Sequence, residues 1–417
     1  MISNSVVYEI ALKNRLFSFQ ILHTLYHDLM AIYFVALLAG ANMRVLDILL
    51  PVISDDLVIS PFITSKIVIS FTMGYGISQF FFGALGDKFG KANIIRYAVL
   101  ISCISSFVSF YFDNLNHLFF SRFFTGIGVG GIIPLTIAKI GDETPYSFRQ
   151  EKIAKFLGVV LLGNFLGPLA SGLISVLLSW QIVFFFFGIF FLAGFFCINT
   201  NSSNTMISFD NFFKESINFI LVSSTTYKNI LKLKWSKIIL FTVFSECFLF
   251  YGTLTFIGVY LNSVLNISLI VCGFIVSFFG LGGIFYSLFA KKILFYLDQK
   301  KIVKIGSILI FINFTLVPFF SHFIIITTLI FFAGVGFYMF HNTIQVNSSE
   351  MYPSSRGASL GIHAFFVFIG QSLGIYFFSK VFNLFDYSIG FCFSAITILM
   401  LGFYFSNQLR RFSLINK

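Results

Sequence analysis

Arg44, Asp47, Arg122, Glu246 and His341 stand inside stretches otherwise too apolar for them. An ionised side chain at the centre of a membrane helix costs ~2.5–3.5 kcal/mol on insertion scales, so each needs a partner, water or a task. The chemistry open to such groups is proton or ion binding, or mutual neutralisation. Arg44 and Asp47 are three residues apart, which puts them on one helix face within pairing reach. Two readings follow. Asp47 takes up a proton or a cationic substrate from a central cavity, or it merely neutralises Arg44. Burial favours an acid's neutral form and a guanidinium neighbour its charged form, so spacing leaves the balance open. Glu246 is a lone acid among apolar neighbours, a proton or cation site or a structural contact. His341, followed by Asn342 and close to Gln345, can titrate near neutral pH or make a hydrogen-bonded contact between helices. Arg122 keeps its charge at any depth and needs an acid, a substrate or cavity water; a polar tie to the first span is its structural alternative.

The elements that must position these groups are membrane helices. The 417 residues are 58% hydrophobic and 10% charged, with mean hydropathy +0.93. A soluble domain carries about 25% charged residues. A span needs ~20 apolar residues, so the chain has room for twelve. The apolar runs fall at about 29–53, 65–86, 94–112, 117–139, 153–178 and 182–198, then 238–261, 267–290, 302–320, 323–346, 358–380 and 386–406. Residues 1–28 form a lead, which lacks the pattern of a cleaved signal peptide and suits a helix lying on the membrane surface. Residues 29–198 form a first six-span half and 238–406 a second. The polar stretch 199–237, partly amphipathic, links the two, and 407–417 is a basic tail.

The formal charge of +11 could point to nucleic acid, but its distribution does not. Basic residues gather in alternate loops: Lys88, Lys91 and Arg96; Arg149, Lys152 and Lys155; Lys228 to Lys237; Lys291 to Lys304; Arg356; and Arg410 with Arg411 and Lys417. The loops between hold only Lys66 and Lys380. That asymmetry predicts both termini on the cytoplasmic side. Cys103, Cys197, Cys247, Cys272 and Cys392 all fall in expected spans without metal-ligand spacing, so no metal is expected and they read as small buried residues. The abundant Phe carries no functional signal. There is no phosphate-binding G-x-x-x-x-G-K-[ST] loop, which disfavours ATP-driven transport. No catalytic or haem constellation stands out, so an enzyme is not expected.

Four motifs narrow the reading. Gly83-Ala84-Leu85-Gly86-Asp87-Lys88-Phe89-Gly90-Lys91 reads as a tight charged loop between spans 2 and 3, and its G-x-L-x-D-K-x-G-K pattern resembles that loop of the major facilitator superfamily. Asp47-Ile48-Leu49-Leu50-Pro51 resembles the first span of the bicyclomycin and multidrug resistance branch of drug:proton antiporters. The run from Arg122 through Gly126, Gly128 and Gly130 resembles the R-x-x-x-G-x-G of span 4. Gly163-Asn164-Phe165-Leu166-Gly167-Pro168-Leu169-Ala170-Ser171-Gly172 resembles the antiporter motif of span 5, with Ser171 in place of a glycine. In addition, Trp180 to Phe184 is similar to the opening of span 6, and Glu350-Met351-Tyr352-Pro353-Ser354-Ser355-Arg356-Gly357 to the E-x-x-P-x-x-x-R-G loop before span 11.

The resemblance implies an all-α polytopic protein, twelve transmembrane helices in two pseudo-symmetric six-helix bundles. It implies rocking of the bundles about a midplane cavity, with proton-coupled export of small organic compounds or drugs and no cofactor beyond the proton gradient. It implies a monomer in a bacterial cytoplasmic membrane. Asp47, Arg44, Arg122, Glu246 and His341 would line the cavity or carry the proton. Gly83, Asp87, Lys88, Gly90 and Lys91, with Asp142 and Arg149 and with Glu350 and Arg356, would form cytoplasmic gates. Gly163, Gly167, Pro168 and Gly172 would mark an exporter. A dedicated metabolite or siderophore exporter, a proton-driven importer and a facilitator stay open as alternatives.

Overall fold

The computed structural model describes residues 30–198 and 225–415. The expected lead, most of the linker and the last two residues lie outside them. Every long element is a helix, as lipid demands: only a helix or a closed barrel satisfies all backbone hydrogen bonds without water. Span 1 is a bent pair, Met30–Arg44 and Leu46–Asp56. Spans 2 to 6 are Lys66–Phe89, Lys91–Tyr111, Leu115–Glu143, Tyr146–Leu177 and Trp180–Cys197. Span 7 is Lys234–Leu254, running on to Val264. Spans 8 to 12 are Leu269–Tyr296, Gln299–Leu316, Phe323–Ser349, Arg356–Leu384 and Tyr387–Ile415. Ten of these, and the bent pair as an eleventh, are long and apolar enough to cross a membrane; Lys66–Phe89, at 24 residues, has the length of the twelfth.

The two halves are related by the pattern of their contacts. Spans 2 and 4, 3 and 4, and 3 and 6 pack in the first half; spans 8 and 10, 9 and 10, and 9 and 12 pack in the second. Span 1 lies on span 5 as span 7 lies on span 11. Adding six to each number converts one set into the other. The halves meet through spans 5 and 8 and through spans 2 and 11, contacts that the same operation exchanges.

Glycine makes the close pairs possible. Gly126 sits against the Phe71 carbonyl in the first half, and Gly334 sits against the Phe279 carbonyl at the equivalent crossing; a Cβ at either would collide with that backbone. Small residues at such crossings gain van der Waals contact where lipid offers no hydrophobic drive. Spans 3 and 4 add polar ties, Ser109 donating to Ser121 at 2.8 Å and Thr125 to Ser105 at 2.9 Å.

One expected loop is mostly helix. Gly83 to Phe89 continue span 2, and the whole turn into span 3 is Gly90, at φ +86°. A single left-handed residue reverses the chain there because glycine lacks a Cβ. Among the cysteines, Cys103, Cys247 and Cys272 are buried as expected, whereas Cys197 is exposed at the end of span 6.

Candidate functional site: a polar belt between the two bundles

Span 1 breaks at Val45, where its two arms meet at 52°. Pro51 has no N–H to give the Asp47 carbonyl four residues back and crowds it. Broken membrane helices near mid-depth present backbone and side chains to a binding site. The break falls between Arg44 and Asp47. Their side chains pair at 3.2 Å and are buried, 4% and 1% exposed. The Arg44 guanidinium also reaches the other bundle, lying 4.1 Å from the Tyr251 ring centre in span 7 and 5.8 Å from that of Phe279 in span 8. Asp47 Oδ1 is buried without a hydrogen-bond partner. Gly258 of span 7 lies directly on the Asp47 carbonyl oxygen. Arg44 and Asp47 therefore form one side of the contact between the bundles.

The second half supplies a matching pair. His341 Nδ1 lies 2.8 Å from Glu246 Oε2, joining span 10 to span 7. Glu246 is fully buried and its Oε1 has no partner. The His341 ring stacks on Phe337 and lies 5.7 Å from the ring of His363 in span 11. His363 Nδ1 shares a hydrogen bond of 2.7 Å with Ser348 Oγ, and its buried Nε2 has no partner. Glu246, His341, His363 and Ser348 thus form a polar file leading toward the end of span 10. Donor atoms of Glu246, Cys247 and His341 lie within 4.8 Å of one another, an N, O and S set that suits a borderline-soft divalent ion. Sequence spacing could not show this group, since its members come from spans 7 and 10.

Arg122 is fully buried with no carboxylate in ion-pair reach among the described residues. Its Nη1 donates to Asn42 Oδ1 at 2.8 Å, and its guanidinium lies over Phe71 at 4.7 Å and Phe184 at 5.4 Å. The tie to span 1 expected as the structural alternative is present, through an amide rather than an acid. A hydrogen bond to a charged group contributes ~1.5–3 kcal/mol. Asn42→Leu is therefore expected to destabilise the chain by that amount. Asn42→Asp, which brings a carboxylate to the same place, is expected to raise the unfolding temperature above that of Asn42→Leu in a thermal melt.

The span 5 motif faces two ways. Gly163 and Gly167 lie against Leu37 and Ala41 of span 1, while Pro168 and Gly172 lie against Gly273 and Leu269 of span 8. Ser171, the departure from the pattern, donates to its own Pro168 carbonyl at 3.0 Å. Trp180 is buried and its Nε1 donates to Asp56 Oδ2 at 2.9 Å.

On the face with the basic loops, Lys91 pairs with Asp142 at 2.6 Å and Asp87 at 3.0 Å. Arg356 pairs with Glu350 at 3.0 Å. Each of these pairs stays within one bundle. Arg149 donates to the Thr144 carbonyl at 3.5 Å. Gly83 has no neighbour in the space of a Cβ, and Lys88 lies 5.7 Å from the Phe89 ring.

Away from that face the bundles interlock. Thr72 and Ser372 are 2.6 Å apart across spans 2 and 11, Tyr75 stacks on Phe368, and Gly172 meets Gly273 across spans 5 and 8. Sequence reasoning missed Asn42, Tyr251, Gly258, His363 and Ser372. Only His363 carried a signal, as a histidine inside an apolar run.

Residues 32–375 match the family model described as Major Facilitator Superfamily. The chain belongs to the Major Facilitator Superfamily. An uncharacterised transporter of Buchnera aphidicola subsp. Schizaphis graminum is 23% identical over 78% of this chain and 77% of its own length. The riboflavin transporter RibZ of Clostridioides difficile is 27% identical over 34% of this chain and 31% of its own. Among solved structures, the xylose transporter XylE from E. coli in a partially occluded inward open conformation superposes with TM-score 0.67 at 15% identity. That superposition covers 91% of this chain and 96% of that one. The nucleoside transporter NupG gives 0.68 at 14% identity, over 92% and 98%. This likeness is one of fold: two bundles of six helices, the architecture of the superfamily's secondary transporters.

Proposed function

We propose that this chain is a proton-coupled antiporter that exports small organic compounds, working in a bacterial cytoplasmic membrane with both termini inside. The observation that carries the reading is the pairing across the seam. Asp47 is held by Arg44, and Arg44 rests on Tyr251 of the opposite bundle. A change in how the bundles meet must therefore change what Arg44 touches. A buried carboxylate that loses its cation is strongly disfavoured in charged form, and taking up a proton relieves that cost. Proton binding at Asp47 and separation of the bundles are coupled in this way.

Glu246 and His341 form a second exchangeable pair, and a proton given up by Asp47 has an acceptor there in the other bundle. His341 is the more accessible partner, with its side chain 15% exposed against 0% for Glu246. Export as the direction is supported by the span 5 motif, whose Pro168 and Gly172 pack on the second bundle. A monomer suffices, since both pairs lie within one chain.

The experiment is uptake into everted vesicles carrying the protein, with an imposed pH gradient and a panel of dyes and drugs. Gradient-driven accumulation of several unrelated compounds is the expected result. Accumulation of cellular metabolites alone would make it a dedicated carrier. Uptake only into right-side-out vesicles would overturn export in favour of import on the same proton pair.

A further inference from the structure

The equivalent starts of spans 3 and 9 differ in how they treat their lysines, and the difference points to a ligand. In the first half, the lysine that opens span 3 is compensated: Lys91 is held by Asp87 and Asp142. Lys139 is paired with Glu143, and Lys155 with Glu151. At the symmetry-related start of span 9, Lys300, Lys301 and Lys304 have no carboxylate within ion-pair distance among the described residues. They converge with Arg410, Ser406 and Asn407 of span 12 on a cavity of about 260 Å³. Asp298 is the one acid in its wall, and Oδ1 of that acid already accepts the backbone N–H of Lys301 as the cap of span 9.

The cavity is built rather than incidental. Buried Ser406 donates to the Lys300 carbonyl at 3.1 Å, fixing span 12 against the first turn of span 9. Lys304 lies 5.3 Å from the Phe403 ring, which aligns its stem along span 12. Exposed aromatics mark the level of the membrane surface around it. Phe295 and Tyr296 end span 8 at 81% and 70% exposed, and Phe403 and Tyr404 are each 40% exposed on span 12. Aromatic belts of this kind sit at the headgroup level of a bilayer. Gathering Lys300, Lys301 and Lys304 around one space is costly by mutual repulsion, and an anion bound there lowers the cost. The positive end of the span 9 dipole adds to the attraction.

We propose that this cavity binds the phosphodiester headgroup of an anionic glycerophospholipid. The lysines and Arg410 meet the phosphate, and the acyl chains run down the exposed apolar faces of spans 9 and 12, past Phe403, Met400 and Ile308. Basic pockets between membrane helices on the cytoplasmic side are suited to such headgroups. None of its lining residues belongs to the polar belt, and the site does not depend on which substrate is carried.

The test uses the purified full chain, stripped of lipid in uncharged detergent, and reads its thermal unfolding midpoint. Phosphatidylglycerol is expected to raise the midpoint by about 5 °C over phosphatidylcholine with the same acyl chains, by binding the folded state alone. Inorganic phosphate at equal concentration is expected to leave it unchanged. The triple change Lys300→Gln, Lys301→Gln, Lys304→Gln should abolish the difference between the two lipids, and the triple Lys→Arg should keep it. Native mass spectrometry of Arg410→Gln gives a second readout, with phosphatidylglycerol retention expected to fall about tenfold, ~1.4 kcal/mol. Equal shifts from both lipids, an equal shift from inorganic phosphate, or a full shift in the triple Gln variant would each overturn the proposal.

Discussion

Asp47→Asn is expected to abolish transport driven by a pH gradient and to destabilise the folded chain. The amide cannot release a proton, and it leaves Arg44 buried at 4% exposure without its counter-ion. Breaking a buried pair by removing one partner costs ~3–5 kcal/mol, because the other charge stays behind. Replacing both partners with apolar residues of similar volume is often neutral or stabilising. The double change Arg44→Met, Asp47→Leu therefore separates the two readings of the pair. If the pair is only structural, the double variant regains stability and transports. If Asp47 carries the proton, the double variant regains stability in a thermal melt and still fails in proteoliposomes under an imposed gradient. Wild-type transport by the double variant would sink the coupling role.

The second large effect is expected from Gly258→Leu. Gly258 touches the Asp47 carbonyl that Pro51 leaves without its helical partner, so the obstacle to a side chain is backbone and cannot swing aside. Overpacking of this kind costs up to ~3 kcal/mol. That cost falls only on the arrangement in which spans 1 and 7 touch. The ratio of closed to open forms on the face opposite the basic loops should then fall about a hundredfold. A Ser372→Cys probe reads this directly, since Ser372 is buried in the same seam and hydrogen-bonded to Thr72. Maleimide labelling at that position should accelerate strongly in Gly258→Leu, with transport lost. Gly258→Ala should show the same changes to a smaller extent. Unchanged labelling together with wild-type transport would mean that this contact does not gate the molecule.

The membrane fold was legible because lipid leaves so few solutions. Apolar runs of bilayer length must be helices, and the expected segments and the observed ones agree to within a few residues over most of the described chain. Loop 83–91 was the clearest misreading. The whole stretch was read as a tight charged loop, yet a helix at a membrane face keeps its backbone bonds until a residue leaves the helical region, and only Gly90 does so. The buried charges were legible too, because each is conspicuous in an apolar run.

The partners of those charges were not legible. Arg122 settles on Asn42, eighty residues away, and not on an acid. Glu246 meets His341, ninety-five residues away, because spans 7 and 10 cross there. Nothing in the local pattern of either segment encodes that meeting.

By itself, the sequence determined that this chain crosses a membrane many times, that its basic residues gather in alternate loops, and that a few ionisable groups stand inside apolar runs. Those follow from local physics, the cost of exposing backbone and charge to hydrocarbon. Only the tertiary structure decided that Arg44 spans the seam to Tyr251, that Gly258 rests on the Asp47 carbonyl, and that the lysines of span 9 share a cavity with Arg410, Ser406 and Asn407 of span 12. Each of these joins helices distant in the chain. Helix crossing sets such contacts, and it depends on the packing of all the spans together.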